Sequence, residues 1–441
     1  MGRSGAEPAA NRHVERPRLA YVMSRFPKLT ETFVLFELVA MEADGYAVDV
    51  YPLLRERAAV MHAEAERFVG RAHYLPFASL AIIGSQLHFL VRRPRRYVGA
   101  LAALVRGTWG SANFLLGGLG IFPKVAHAAR LMEADGVDRV HCHFANHPAL
   151  AGFLIHRLTG IPYSFTAHGS DLHVDRHMLC EKVREADFVV PISEFNRRVI
   201  LDECGKEVSD KLVVIHTGVD TDHFRPAERD RPADRPFTIT CIGTLHEVKG
   251  QVHLVNACAR LAAEEIAFVC HLVGEGEDRT LLERAIADAG LEGRVVLDGA
   301  IDRNALGALL AETDVVVAPS VPTAQGKREG IPVVLMEAMS CGLPVVASRL
   351  SGIPELVEDG VSGLLAEPGS AEGLAAALLR LQREPELRDR LGRAGRERVV
   401  AEFDIRVNAR RLAAHFEAPS DGAGASLVAS GGSAAVLEER R

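Results

Sequence analysis

The chain has 441 residues, a formal charge of −7 and 48% hydrophobic residues, which allows two or three domains with large cores. A mildly acidic balance gives no global reason for a nucleic-acid partner, so any attraction to anions must be local. The seven cysteines (Cys142, Cys180, Cys204, Cys241, Cys258, Cys270 and Cys341) are odd in number, scattered and never in a CxxC pair; this argues against a disulfide framework and a zinc ribbon, and fits a reducing cytoplasm.

Residues 1–16 lack the apolar centre of a signal peptide and read as a disordered lead-in. From Leu19 the order is strand "LAYVM", helix "ETFVLFELVAMEADG" and strand "AVDVYPL", the βαβ rhythm of a parallel sheet covered by helices. A stretch over 67–132 interrupts that rhythm. It holds no Asp or Glu but nine Arg and Lys, Arg92, Arg93, Arg95 and Arg96 among them. Its apolar run Phe77–Val91 is too short and too broken to cross a bilayer. Beside "RRPRRY", with Trp109 further on, it has the pattern of an in-plane helix touching an anionic membrane surface; a helical subdomain packed on the first sheet is the other reading.

Strand "DRVHCHFA", helix "PALAGFLIHRLTG", strands "PYSFTAHG" and "FVVPIS" and helix "EFNRRVILDEC" complete a first unit over 17–218. The segment 219–236, rich in Pro, Asp and Arg, reads as an interdomain connector. In a second unit over 237–395, strands "FTITCIGTL", "AFVCHLVG", "RVVLDGA", "DVVVAPS" and "PVVAS" alternate with helices near Gln251–Ala263, Asp278–Ala289, Arg303–Glu312 and Pro332–Ser340. Near-continuous Val and Ile runs indicate strands buried on both faces. A closing helix over 396–417 and a flexible tail over 418–441 finish the chain. The fold class is α/β, with two doubly wound Rossmann-like domains facing across a cleft, and such sheets bind ligands at the carboxyl ends of their strands.

The stretch "GKREGIPVVLMEAMSCGLPVVAS" sets two carboxylates, Glu329 and Glu337, into a loop and an apolar helix. Pro332 marks the helix start, where unpaired N–H groups and the helix dipole suit a phosphate or another polar ligand, and Gly330 permits close backbone approach. Glu329 projects from the loop, while Glu337 lies inside the helix, able to accept hydrogen bonds from hydroxyl groups; the plain alternative for Glu337 is a solvated helix residue.

The Glu329-x7-Glu337 spacing, between "VVVAPS" and "AMSCGLPVVAS", resembles the retaining glycosyltransferases of family 4, which have the GT-B fold. "IGTLHEVKG", "LVGEGEDR", "HTGVDTDHFRP", "FTAHGSDL" and "ISEFNRR" match in the family's order, and "SRFPKLTETFVLFE" resembles the branch that builds exopolysaccharide of the colanic-acid type. The resemblance spans roughly Leu19 to Phe416 and implies a nucleotide-diphosphate sugar in the second domain, transferred with retention to a lipid-linked sugar acceptor. By that analogy Glu337 holds the ribose. Glu329 and the backbone of Gly330, Ile331 and Pro332 contact the donor sugar, and Gly299 to Ile301 flank the base. Lys249 neutralises the diphosphate. His168 faces the donor across the cleft and positions a sugar hydroxyl; Thr30, Glu31 and His143 belong to the acceptor side.

One departure stands out: the family usually has Arg at the position of Thr244, and a threonine offers a single hydroxyl in place of a charged fork. Arg328 and Lys327 are the nearest replacements in sequence. In "HCHFANH", His141 and His143 share a strand face, but a metal needs a third group at fixed distance; no metal and no cofactor besides the donor is expected. "GEGEDR" lacks the third glycine of a dinucleotide loop. The competing readings are a GT-B sugar-nucleotide epimerase and a catalytically weak sugar-nucleotide-binding protein, the latter supported by Thr244 alone. The cytoplasm is the expected location, with peripheral contact to the inner face of the plasma membrane if the basic stretch meets a bilayer.

Overall fold

Among the described residues, eleven strands form two wholly parallel sheets. The computed structural model describes residues 16–28, 31–56, 62–173, 175–227, 235–301 and 303–418, so the expected lead-in and tail lie almost wholly outside it, as does Thr30. The first sheet contains β1 (Leu19–Phe26), β2 (Val48–Arg55), β3 (Arg139–His143), β4 (Tyr163–Ala167) and β5 (Val189–Pro191) in the order β2-β1-β3-β4-β5. The second contains β6 (Phe237–Ile242), β7 (Phe268–Val273), β8 (Val295–Gly299), β9 (Val315–Ala318), β10 (Val345–Ser348) and β11 (Leu364–Ala366) in the order β11-β10-β9-β6-β7-β8. In each sheet the order reverses beside the first strand of the unit, the topology that opens a crevice at the carboxyl ends.

Every residue of β3, β4, β9 and β10 is buried, because helices cover both faces of a parallel sheet. On one face of the first sheet, Val140, Cys142 and Phe165 pack with Leu150, Leu154 and Phe122. On the other, Tyr21 and Val50 pack with Leu38 and Phe416. Phe416 belongs to helix Ile405–Glu417, so the end of the chain crosses back from the second domain to seal the first. Burying one such ring contributes about 1.5–3 kcal/mol. The closing segment differs from expectation: helix Pro385–Glu402 runs unbroken through residue 395, and the break falls at Phe403–Asp404. There Asp404 accepts from Arg406 N–H at 2.9 Å and caps the last helix.

The acid-free stretch forms helices Leu80–Arg92, Pro94–Thr108 and Ala112–Ala134. Ser79 caps the first by accepting from Ile82 N–H at 3.2 Å, and Pro94 opens the second at its favoured first position. Phe89, Leu104 and Phe122 carry them into the core of the first sheet. Among the described residues, no helix is long and apolar enough to cross a membrane.

One expectation fails in this domain. Cys180 and Cys204 form a disulfide with Cα atoms 5.0 Å apart; the helices that carry them, Leu179–Glu185 and Glu194–Cys204, lie side by side, a neighbourhood that cysteine spacing does not reveal. The other five cysteines are buried thiols.

Candidate active site

The carboxyl ends of both sheets face one cleft of about 700 Å³, within the range of small-molecule sites. Glu31, Phe33, Phe144 and His168 line it from the first domain, and Thr244, Lys249, Ile301, Glu329 and Glu337 from the second. Backbone contact between the domains is close at its floor: a Cβ on Gly330 would stand 2.7 Å from the His168 carbonyl oxygen. Gly330 lines the cleft, and the backbone of the opposite domain also comes close to it there.

On the second-domain wall, Glu329 Oε2 lies 2.6 Å from Lys249 Nζ. The chain places Lys249 by a short turn over Glu247–Lys249, in which the His246 ring accepts from Val248 N–H at 3.1 Å. The lysine stem lies along Gly243, where a Cβ would meet Cε at 3.3 Å. Helix Val333–Ser340 follows the loop, with Glu337 on its cleft side. Pro332, expected as the first helical residue, is instead the cap, with ψ 122°; its fixed φ of −67° still directs the chain into the helix. Ile331 is buried and Arg328 exposed, and both line the cleft. Gly299 ends β8 at φ +77°, with its carbonyl accepting from Gly274 N–H at 2.8 Å. It is not among the lining residues, but Ala300 and Ile301 after it are.

Thr244 is exposed in the cleft wall. Its carbonyl accepts from Gln251 Nε2 at 3.0 Å. Lys327 and Arg328 line the same cleft and, among the described residues, neither has a carboxylate partner. Arg328 is thus an unspent guanidinium beside the Glu329–Lys249 ion pair.

On the first-domain wall, His168 stands just past β4 and is nearly buried. Asp171 fixes its backbone by accepting from His168 N–H at 3.0 Å and Gly169 N–H at 2.7 Å. The rings of Phe33 and Phe144 each lie 4.6 Å from the imidazole. Burial, then the neighbouring His143 and His141, push its pKa well below the ordinary value, so the ring is neutral at pH 7. Glu31 lines the cleft and pairs with Lys28 at 2.5 Å. His143, expected at the acceptor side, is fully buried and stands behind His168, with its Nδ1 3.0 Å from His168 Nε2; the pleat of β3 turns it away from the cleft.

The third group that "HCHFANH" lacked is Glu37, from helix Thr32–Ala43. Its carboxylate and the ring nitrogens of His141 and His143 lie within 4.8 Å of one another. Both nitrogens of His141 are already hydrogen-bonded, to Ser164 at 2.8 Å and Thr166 at 2.9 Å. Glu37 was missed because its only sequence signal is an acid on the buried side of an apolar helix.

Two family models match the chain, "Glycosyltransferase Family 4" over residues 31–223 and "Glycosyl transferases group 1" over residues 225–398. The amylovoran biosynthesis glycosyltransferase AmsK of Erwinia amylovora is 31% identical over 416 residues, 91% of this chain and 99% of its own. WcaL of Escherichia coli strain K12, whose assignment to colanic acid biosynthesis is itself provisional, is 30% identical over 421 residues, 91% of this chain and 100% of its own. HepE of Anabaena, solved in complex with UDP, superposes with a TM-score of 0.67 at 18% identity over 90% of this chain and 98% of its own, a likeness in the GT-B fold. The chain belongs to the family 4 glycosyltransferases.

Proposed function

We propose that this glycosyltransferase takes a hexose from a nucleotide-diphosphate sugar and transfers it, with retention, to a lipid-linked acceptor in exopolysaccharide assembly. The observation that carries the reading is the cleft itself, where Glu329, Lys249 and Glu337 converge on one wall and His168 on the other. AmsK and WcaL, named for amylovoran and colanic acid synthesis, support the pathway class, and HepE, solved with UDP and glucose, supports the donor class.

In this reading Glu337 accepts from the ribose hydroxyls, and Ile301 lies along the base. Lys249 and Arg328 meet the diphosphate. The bond from the anomeric carbon to the phosphate oxygen breaks, and its electron pair stays on the diphosphate; the acceptor oxygen bonds to that carbon from the same face and passes its proton to the departing phosphate oxygen. Cations beside the departing phosphate stabilise the charge that develops there. Glu329 holds Lys249 in place and reaches the donor sugar from the loop. Glu31, ahead of helix Thr32–Ala43, faces the acceptor. No metal is assigned a role.

The acceptor's lipid is reached from the membrane surface. Ten of the thirteen exposed large apolar side chains among the described residues fall between Phe77 and Leu119, a concentration that a soluble domain rarely leaves uncovered. Leu80, Ile83, Leu87 and Val91 form an outward stripe at helical spacing on helix Leu80–Arg92, while Ile82 and Phe89 face the core. Exposed Arg92, Arg95 and Arg106 flank it, the pairing of apolar and basic groups that suits the inner, anionic leaflet.

Incubation with UDP-glucose, UDP-galactose and GDP-mannose, with and without a bacterial lipid extract, tests the reading. Extract-dependent release of the nucleoside diphosphate, with the product anomer matching the donor's by NMR, is expected. A new free sugar epimer, binding without release, or an inverted product would overturn it.

A further inference from the structure

Behind His168 a line of side chains leads from the cleft into the first domain. His168 Nε2 lies 3.0 Å from His143 Nδ1, and His143 Nε2 lies 3.3 Å from Glu37 Oε1. Tyr21 O–H donates to the same carboxylate oxygen at 3.1 Å. The four groups come from β1, helix Thr32–Ala43, β3 and the end of β4, so the fold, not local sequence, assembles them. We propose that Glu37 and His143 are positioning residues that lock His168 as its Nε2–H tautomer and leave Nδ1 as a lone-pair acceptor for a hydroxyl of the donor sugar. The proposal rests on the reading that His168 faces that sugar.

The proton order follows from what each group can do. An ionised carboxylate only accepts, so Glu37 takes one hydrogen from Tyr21 and turns toward the N–H edge of His143, whose Nε2 stands 3.3 Å away without completing a hydrogen bond. A neutral imidazole protonated at Nε2 has a bare Nδ1, so the hydrogen between the two rings must come from His168 Nε2. The reverse order would set the Nε2 lone pair of His143 against the Glu37 carboxylate, two acceptors 3.3 Å apart. A cationic His143 would reverse the order too. The 3.3 Å contact is, however, longer than the roughly 2.7–2.9 Å of a charge-assisted N–H to carboxylate bond, and the ring is fully buried and stacked on Tyr21. The Tyr21 O–H bond and the N–H edge of His143 that faces it both favour the ionised form of Glu37. Meanwhile His168 Nδ1 is buried and has no protein partner, and Phe33 and Phe144 hold the ring against rotation. One ring atom is left to bond, and it is an acceptor.

Nitrogen-15 NMR of histidine-labelled protein without substrate reads the tautomer directly. A protonated Nε2 and a bare Nδ1 on His168 are expected at pH 7, with the pattern shifting toward Nδ1–H in Glu37→Gln. Kinetics are read as nucleotide release from UDP-glucose or GDP-mannose, whichever the wild type turns over. Loss of the orienting charge in Glu37→Gln is expected to lower kcat by about tenfold or more with donor KM within about twofold, the mark of an interaction made in the transition state. His143→Asn, whose side-chain carbonyl can stand where Nδ1 stood, is expected to keep more activity than His143→Phe, which guards against a fold effect. A His168 bearing Nδ1–H, or an imidazolium, in the wild type overturns the proposal whatever the kinetics. Unchanged kcat in a Glu37→Gln protein while His168→Ala is inactive overturns the positioning role. If the tautomer is as expected and His168→Ala turns over normally, the lock stands and the placement of His168 at the donor sugar falls.

Discussion

At the scale of single residues, the cleft holds a cation where the usual one is absent. Thr244 has one hydroxyl to offer a phosphate, and Arg328, on the same cleft, has no carboxylate partner among the described residues. Arg328→Ala should therefore weaken nucleoside diphosphate binding by about 1.5–3 kcal/mol, the scale of a hydrogen bond to a charged group, while nucleoside binding hardly changes. Thr244→Arg in that background should restore most of the loss, because a guanidinium again meets the phosphate oxygens. Calorimetric titration of UDP against uridine, and of GDP against guanosine, reads both effects; equal losses for nucleotide and nucleoside would remove Arg328 from the phosphates. Glu337→Ala, by contrast, should weaken nucleoside and nucleotide alike by about 1–3 kcal/mol if it holds the ribose, and unchanged affinity in a folded variant would exclude it. These residues were legible because Glu329, Glu337 and Lys249 lie in short segments whose spacing is set locally. Glu37 was not, because its histidine partners are more than a hundred positions away and only the sheet order brings them to it. The role of His143 was misread for a related reason: alternation along β3 tells which residues share a face, not which of the two faces looks onto the cleft.

At the scale of elements, most helices and strands could be read from pattern. The helices at Gln251–Ala263 and Arg303–Glu312 fall where apolar periodicity put them, since long amphipathic repeats outlast local noise. Strand β11 has three residues, Leu364–Ala366, too few to show any period, and it escaped. The acid-free insert was ambiguous for a physical reason: helix Leu80–Arg92 is apolar on two faces, and sequence alone cannot say which one is covered. Its two faces now make opposite predictions. Phe89→Ala, on the buried face, should cost about 3–5 kcal/mol of stability through the cavity it leaves. Leu80→Gln, Ile83→Gln and Leu87→Gln together, on the exposed face, should leave the melting temperature nearly unchanged and release the protein from anionic vesicles. Replacing Arg92, Arg95 and Arg106 with Glu should do the same, at about 1 kcal/mol for each lost attraction, and added salt should weaken wild-type binding. Arg93 and Arg96 are poorer targets than their sequence suggests, because Arg93 pairs with Glu133 at 2.7 Å and Arg96 donates to the Thr159 carbonyl at 2.8 Å. Vesicle co-sedimentation across a salt series decides; wild type and both variants sedimenting equally would leave the stripe without a membrane role.

At the scale of the whole molecule, two domains sharing one cleft need something to set how closely they approach. Beside the Gly330 contact, Glu355 of the second domain reaches across and accepts from the backbone N–H groups of Glu194 at 2.7 Å and Phe195 at 2.9 Å. These are the first residues of first-domain helix Glu194–Cys204, whose unpaired N–H groups and dipole favour a carboxylate. His216 Nε2 stands 3.5 Å from the same carboxylate. Gly352, just ahead of Glu355, lets the domains approach: a Cβ there would meet Ser193 Cβ at 3.0 Å. Burial pushes the Glu355 pKa up, but the bond from His216 and the two backbone donors outweigh it, so the net shift is downward from the ordinary 4.5. A depressed carboxylate stabilises the closed arrangement at pH values above its ordinary range, and that contribution is lost as pH falls below 4.5 and through the depressed value. Glu355→Ala should thus cost the closed state about 1–2 kcal/mol, a charged hydrogen bond discounted for partial exposure. That shifts the open-to-closed ratio by roughly 5- to 30-fold and raises the apparent donor Kd where the closed state was not already dominant. Small-angle scattering from pH 7 down to pH 3 should show the wild type opening as pH falls below 4.5 and Glu355→Ala already more open at pH 7, with a flatter response to pH. Identical scattering profiles for the two proteins across that range would mean that the carboxylate bridges the domains without governing their approach, leaving the Gly330 contact and the returning helix Ile405–Glu417 to set it.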